Sequence, residues 1–299
     1  MPHQPFPRIT AGVLAFLLGF SGPAPGEETA VANPPDGKPP TGERSRTYDA
    51  MPWRFSASAE LRQMEGDFDT GHDISITQLS ATVEARRKRF DASLTQLYLD
   101  TRTTGTGSAS ASPSGSPFFQ RSGGGRSAAR GDVFHDESGL GDTYAEAGYL
   151  VGKQEDAGVD VRLSAGVKFP TADERKGLGT GDTDVFARAG LSRWEGDNVG
   201  TFRIGETFMG DPPGVNYRDS LDAALGVGHR FHVGEDETLI PRAWLRGRES
   251  VLPGGSDPVE FALTLDYDRE KAFFTLELAA GLTAGAPDST VAIGMGYDF

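Results

Sequence analysis

The residues that could do chemistry here are few. The chain has five histidines and no cysteine. Without thiols there is no disulfide framework, no thiolate metal site and no cysteine nucleophile. Hydrolysis would need a serine with a histidine placed as its base. His3 lies in an apolar leader, and His72 and His135 fall in connecting segments. His229 sits on the apolar parity of a strand, and His232 sits beside a short connection. No serine lies two residues from His229, so no same-face dyad is formed. Asp67, Asp69 and Asp73 could offer oxygen ligands to a divalent cation, but a solvated acidic loop is the simpler reading. No enzymatic activity, metal or cofactor is expected.

The other chemically capable residues are charges at alternate positions. They are Arg54, Glu60, Arg62, Glu84, Arg86, Asp142, Glu146, Asp160, Arg162, Lys168, Asp184, Arg188, Arg203, Asp222, Arg230, Arg242, Arg246, Glu260, Asp266 and Glu277. Acids and bases nearly balance. Shared parity puts them on one face of their strands. If that face lines a lumen, the charges must be paired or hydrated. A water-filled passage with charged walls and a lumen closed by ion pairs both satisfy that requirement.

The elements that must position them are strands. Trp53, Phe55, Ala57, Ala59 and Leu61 alternate with Arg54, Ser56, Ser58, Glu60 and Arg62. Val159 to Phe169, Val259 to Tyr267 and Phe274 to Leu282 show the same period of two. Weaker stretches bring the total to twelve: 53–64, 74–86, 89–101, 140–151, 158–169, 183–194, 199–209, 218–233, 238–248, 258–268, 272–283 and 290–299. Ile74 and Ile76 are out of phase with Leu79, Ala81 and Val83, which predicts a β-bulge. Glu206 falls on the apolar parity beside Ile204 and Phe208, against the pattern.

Long and short connections alternate. Segments 65–73, 102–139, 170–182, 210–217, 249–257 and 284–289 are long or rich in Gly, Pro and Asp, and those between them are brief. Membrane β-barrels have short periplasmic turns and longer outside loops. Aromatics gather near strand ends. Trp53, Phe90, Tyr149, Trp194, Phe202, Phe231, Tyr267, Phe274 and Tyr297 lie near short turns, and Phe169, Phe208 and Tyr217 near long loops. That predicts two interfacial girdles. A secreted β-sandwich would alternate too, but has no reason for paired girdles or alternating loop lengths. The fold expected is all-β: a single antiparallel transmembrane β-barrel of about twelve strands in a Gram-negative outer membrane.

Composition agrees. The net charge of −14 opposes broad attraction to nucleic acid. Residues 1–26 read as a signal peptide, with Arg8 before the apolar run Ile9 to Phe20 and cleavage after Gly26 or as late as Ala32. Residues 27–50, proline-rich and polar, read as a flexible periplasmic linker, and 51–299 as the barrel. In 102–139, low-complexity sequence precedes Phe118, Phe119, Arg121, Arg126 and Arg130. That segment reads as a mobile outside loop, or as one that folds into the mouth and gates it.

Two resemblances go further. The end of the chain, Val291, Ile293, Met295, Tyr297 and Phe299 at alternate positions, resembles the terminal strand read by the barrel assembly machinery. It implies that Tyr297 and Phe299 contact that machinery. In the middle, Ser138-Gly139-Leu140-Gly141-Asp142, then Lys168-Phe169-Pro170-Thr171, then Gly177-Leu178-Gly179-Thr180-Gly181 and Asp184 resemble the outer-membrane family named after the meta-pathway of phenol degradation. The likeness covers about 138–191, and Ala172 stands where that family's pattern leads one to expect Gly. It implies a transporter and, through that alone, a small hydrophobic or aromatic ligand. Lumen polarity and this likeness together predict a passive transporter; a structural or adhesive barrel with a closed lumen is the alternative. Outer-membrane lipid is the remaining expected partner.

Overall fold

The computed structural model describes residues 53–68, 73–104, 136–173, 176–211 and 217–299. The expected leader and linker lie outside the described residues, as do His72, Asp69, His135 and most of 102–139.

The period-two segments form strands β1 (Arg54–Gly66), β2 (Asp73–Arg87), β3 (Phe90–Thr104) and β4 (Glu137–Gly152), then a helical turn α1 (Gln154–Ala157). After it come β5 (Asp160–Phe169), β6 (Asp184–Glu195), β7 (Asn198–Phe208), β8 (Ser220–His229) and β9 (Phe231–His232). The last four are β10 (Glu237–Arg248), β11 (Val259–Arg269), β12 (Ala272–Gly281) and β13 (Ser289–Asp298). β8 and β9 both pair with β10 and are two pieces of one wall strand, so the barrel has twelve staves. Neighbours in sequence are neighbours in the sheet, and each pair is antiparallel.

Closure is made by β1 and β13, in register from Ser56 opposite Asp298 to Glu65 opposite Ser289. The Phe299 N–H continues the ladder by donating to the Phe55 carbonyl at 2.9 Å. A sheet with no free edge leaves no strand with unpaired amides facing hydrocarbon.

The apolar parity points out. Leu61, Leu79, Val83, Leu94, Leu163, Leu263, Leu278 and Ile293 are all exposed, an arrangement that suits lipid as solvent. Trp53, Phe90, Tyr149, Phe231, Phe274 and Tyr297 are exposed near the short turns, and Phe169 and Phe208 near the long loops. Two expected girdle members depart from this. Tyr217 is buried. Trp194 shares the inner parity and lies under the Arg230 guanidinium, 3.8 Å from its ring centroid.

The predicted bulge in β2 is absent. The β1–β2 register is continuous from Gly66 opposite Ile74 to Arg54 opposite Arg86. Ile74 and Ile76 simply point inward, in phase with Gln78, because the lumen is apolar at the long-loop end. The register shifts lie elsewhere, between Gln96 and Tyr98 and between Leu150 and Gly152. Glu206 does face outward and is exposed, but it is close to the long-loop end of β7. Charge is tolerated there because the interface is hydrated.

Depth should therefore set the cost of a charge on the outer face. Leu163→Arg, in mid-strand, is expected to cost about 2–4 kcal/mol, and Glu206→Arg about 0–1 kcal/mol. Folding titrations into lipid vesicles measure both, and equal costs would show that the outer face does not meet a bilayer.

Candidate functional site

The inner face carries most of the charges singled out in the sequence, and most of those are paired. Glu277, on β12, is almost fully buried; its carboxylate accepts from Arg62 at 2.7 Å and from Arg246 at 2.6 Å. Arg62 also reaches Glu60 at 3.0 Å, and Arg246 reaches Glu260 at 3.1 Å. One network thus links β1, β10, β11 and β12 across the seam. A second runs through Glu146, which receives Arg188 at 3.3 Å and Arg162 at 3.1 Å. Arg162 continues to Asp91 at 2.5 Å. Asp222 lies 4.0 Å from Arg188 and 3.9 Å from Arg203. Arg242 donates to Asp266 at 2.5 Å, and Thr275 donates to the same carboxylate at 3.0 Å. Glu84 pairs with Arg86.

Three expected lumen residues belong to the short-turn rim instead. Arg54 is exposed. Asp160 accepts the Gln154 backbone N–H at 2.7 Å and so holds the turn before β5. Arg230 stacks on Trp194. The two histidines among the described residues have polar partners: His229 Nδ1 lies 2.9 Å from the Asn198 amide oxygen and His232 Nε2 lies 3.3 Å from Asp197.

At the long-loop end the lining changes character. Residues 176–183 fold inward, and Leu178 packs with Met64, Phe68, Ile74, Ile76 and Leu99. The residues singled out at 138–184 meet here. Asp142 accepts the Ala172 N–H at 3.1 Å. Lys168 bridges Asp184 at 2.6 Å and Asp142 at 3.5 Å, and also donates to the Thr180 hydroxyl. The Thr171 hydroxyl donates to the Gly141 carbonyl at 3.2 Å. A Cβ on Gly179 would lie 2.7 Å from the Asp142 carboxylate, so no side chain fits there. Gly177 and Gly181 adopt φ of 63° and 78°, backbone that favours glycine. Gly139 and Pro170 flank this junction on β4 and after β5. The motif is thus a latch that seats a loop inside the barrel. Tyr217, in the connection after β7, is also turned in, and burial pushes its hydroxyl up to about 12.

Beneath Leu178 lies a cavity of about 60 Å³, walled by Met64, Gln78, Leu99, Tyr144, Phe186, Arg188, Asp222 and Arg248 among others. That is room for water. Elsewhere large inner side chains face glycines. A Cβ on Gly226 would strike the Trp244 ring at 2.4 Å, and one on Gly166 would strike Phe186 at 2.2 Å.

The aromatic and apolar part of the lining was missed by reading charges. Tyr144 stands between Asp142 and Glu146, Phe186 between Asp184 and Arg188, and Trp244 between Arg242 and Arg246. All three share their charged neighbours' parity, a signal available in the sequence. Tyr297 and Phe299 lie outside the lumen, exposed at the seam, with ring centroids 5.5 Å apart.

Against known proteins, no family model matches the chain. The crystal structure of an outer membrane channel from Pseudomonas putida F1 aligns at a TM-score of 0.55, covering 88% of this chain and 100% of that one at 14% identity. At that identity the likeness establishes the fold, that of an outer-membrane β-barrel. The NanC porin aligns at a TM-score of 0.45 and 13% identity, over 80% of this chain and 98% of its own, and adds nothing to that. Among curated proteins, vacuolar protein sorting/targeting protein 10 of Arthroderma benhamiae is 27% identical over 95 residues, 32% of this chain. The chain spans 6% of that relative's length.

The Glu277 network makes a stability prediction. Glu277→Ala leaves two buried guanidinium groups without their shared carboxylate and is expected to cost about 3–5 kcal/mol, as breaking a buried pair does. Glu277→Gln, which keeps a hydrogen-bond acceptor, should cost less. Urea unfolding in lipid vesicles reads both, and a wild-type midpoint for the alanine variant would mean that the pairing does not hold the wall.

Proposed function

We propose that this barrel is a passive outer-membrane transport protein for small compounds, gated by the loop that carries Leu178. One observation carries the reading: an apolar cluster lies inside the barrel mouth with Leu178 of the loop seated on it. Ion pairs alone could seal a purely structural barrel. An apolar inner mouth has no use in that role, and it suits a solute that leaves water there. The polar side chains below would then conduct water and solute once the latch releases.

Hydrophobic or aromatic compounds are the substrate class we favour. Support comes from the apolar mouth, from Tyr144 and Phe186 on the cavity wall, and from the resemblance of 138–191 to the phenol meta-pathway family of transporters. Tyr297 and Phe299 are the residues we assign to recognition by the barrel assembly machinery during insertion, and their exposure at the seam leaves them available for it. The second reading, a structural barrel with a permanently closed lumen, is favoured by the paired charges that fill the wall's inner face.

Two measurements test the proposal. In planar bilayers the wild-type protein should show small, infrequent conductance steps, and Leu178→Asp should raise their size or frequency several-fold. Silence from both proteins would favour the structural barrel. Proteoliposomes should admit toluene faster than a sugar of similar size, and equal rates would remove the substrate class while leaving the channel. The orientation is checked separately: Lys176→Cys should react with an impermeant maleimide on intact cells and Asp236→Cys should not.

A further inference from the structure

The short-turn end of the barrel is not uniformly charged. The connections after β6 and β9, with the strand ends beside them, carry Glu195, Asp197, Glu235, Asp236 and Glu237, and α1 adds Glu155 and Asp156. The β2–β3 turn is the reverse: Arg87, Lys88 and Arg89 follow one another. In a chain of net charge −14 this is a local inversion.

The first of those cations, Arg87, sits against an aromatic ring on the lipid side of the closing seam. The Arg87 guanidinium lies 5.8 Å from the Trp53 ring centroid, and Trp53 meets Phe90 edge-on at 6.2 Å. Across the seam Tyr297 meets Phe299 at 5.5 Å, and Lys271 lies 6.0 Å from the Tyr297 ring. Phe299 is tied to β1 through the Phe55 carbonyl. A belt therefore runs along the seam, with Tyr297 and Phe299 on the β13 side, Trp53 and Phe90 on the β1–β3 side, and a cation against a ring at each end: Lys271 on Tyr297 and Arg87, from β2, on Trp53. Trp53 is 43% exposed and Tyr297 48%, so the rings are open to a ligand from the bilayer. Glu270, between Arg269 and Lys271, is the acid on the adjoining turn, and Arg89 has a loose contact to Asp156 at 3.7 Å.

We infer that this seam belt is a binding site for the headgroup of an anionic phospholipid of the inner leaflet. Aromatic side chains with a polar edge settle at headgroup depth. Guanidinium and ammonium groups at that depth meet phosphate oxygens, and arginine can engage them through two N–H groups at once. A zwitterionic headgroup offers the same phosphate with a cation attached, which the Arg87-Lys88-Arg89 cluster repels. Net negative charge on the lipid is thus the discriminating property. The site lies where the first and last strands meet, so a bound lipid also covers the closure of the barrel. The inference is independent of whether the lumen conducts.

Tryptophan fluorescence tests it, because Trp194 and Trp244 face inward and Trp53 is the tryptophan on the lipid side. The folded full-length protein is placed in bilayers containing brominated phosphatidylglycerol or brominated phosphatidylcholine. Quenching of Trp53 should show several-fold preference for the phosphatidylglycerol at low salt, falling as salt rises. The preference should vanish in the Arg87→Gln/Lys88→Gln/Arg89→Gln variant, whose folding is checked by heat-modifiable gel mobility. It should persist in Glu235→Gln/Asp236→Asn. Inorganic phosphate at matched ionic strength should not displace the lipid. Equal quenching by both lipids in the wild type would overturn the inference, and so would a preference that survives loss of the three cations. Planar-bilayer conductance, measured on the same triple variant, should be unaltered.

Discussion

Everything in this molecule follows from the need to pair every backbone amide across a span of hydrocarbon. A sheet meets that need only when it closes, because any free edge would expose a row of N–H and C=O groups to lipid. Closure here rests on ten residues of β1 facing ten of β13, continued by the Phe299 N–H on the Phe55 carbonyl. Once the ring is shut, the two faces of each strand meet different surroundings. The period of two then separates Leu163 and Leu263, which meet lipid, from Ser164 and Thr264, which do not.

Closure creates a second problem inside. Twelve staves enclose a narrow lumen in which charged side chains cannot all be hydrated separately. They converge instead on shared partners: two arginines on Glu277, and two on Glu146. Where a large apolar ring enters, as at Trp244, glycine makes room opposite it. These contacts tie the wall strands to one another across the inner face.

The long-loop end departs from that scheme. Met64, Ile74, Ile76 and Leu99 face inward where charges would otherwise continue, and Leu178 covers them. Lys168, paired with Asp142 and Asp184 on the wall, holds this loop through the Thr180 hydroxyl, and Asp142 holds it through the Ala172 N–H. The loop is thus held by an apolar seat and by polar anchors. The seat is insensitive to salt, and the anchors are few.

Much of this was legible in the sequence, and the physical reason is the pleat. Alternation alone placed twelve strands, their order, the alternating loop lengths and the inward parity of Glu60, Arg62, Glu146, Arg188 and Glu277, because side-chain direction on a strand is a local property. Pairing is not local. Which arginine meets which carboxylate depends on strands as far apart in sequence as Arg62 and Glu277, so it was decided by closure and register. The same holds for Ile74 and Ile76. Their parity looked like a defect in β2 when read along one strand, and proved regular once Leu99 and Leu178 were seen to share their apolar pocket. The glycines and Asp142 of residues 138–184 marked a loop in the sequence. That the loop turns into the lumen was settled by space: only across the folded barrel do the Asp142 carboxylate, the Ala172 N–H and the Lys168 ammonium come together.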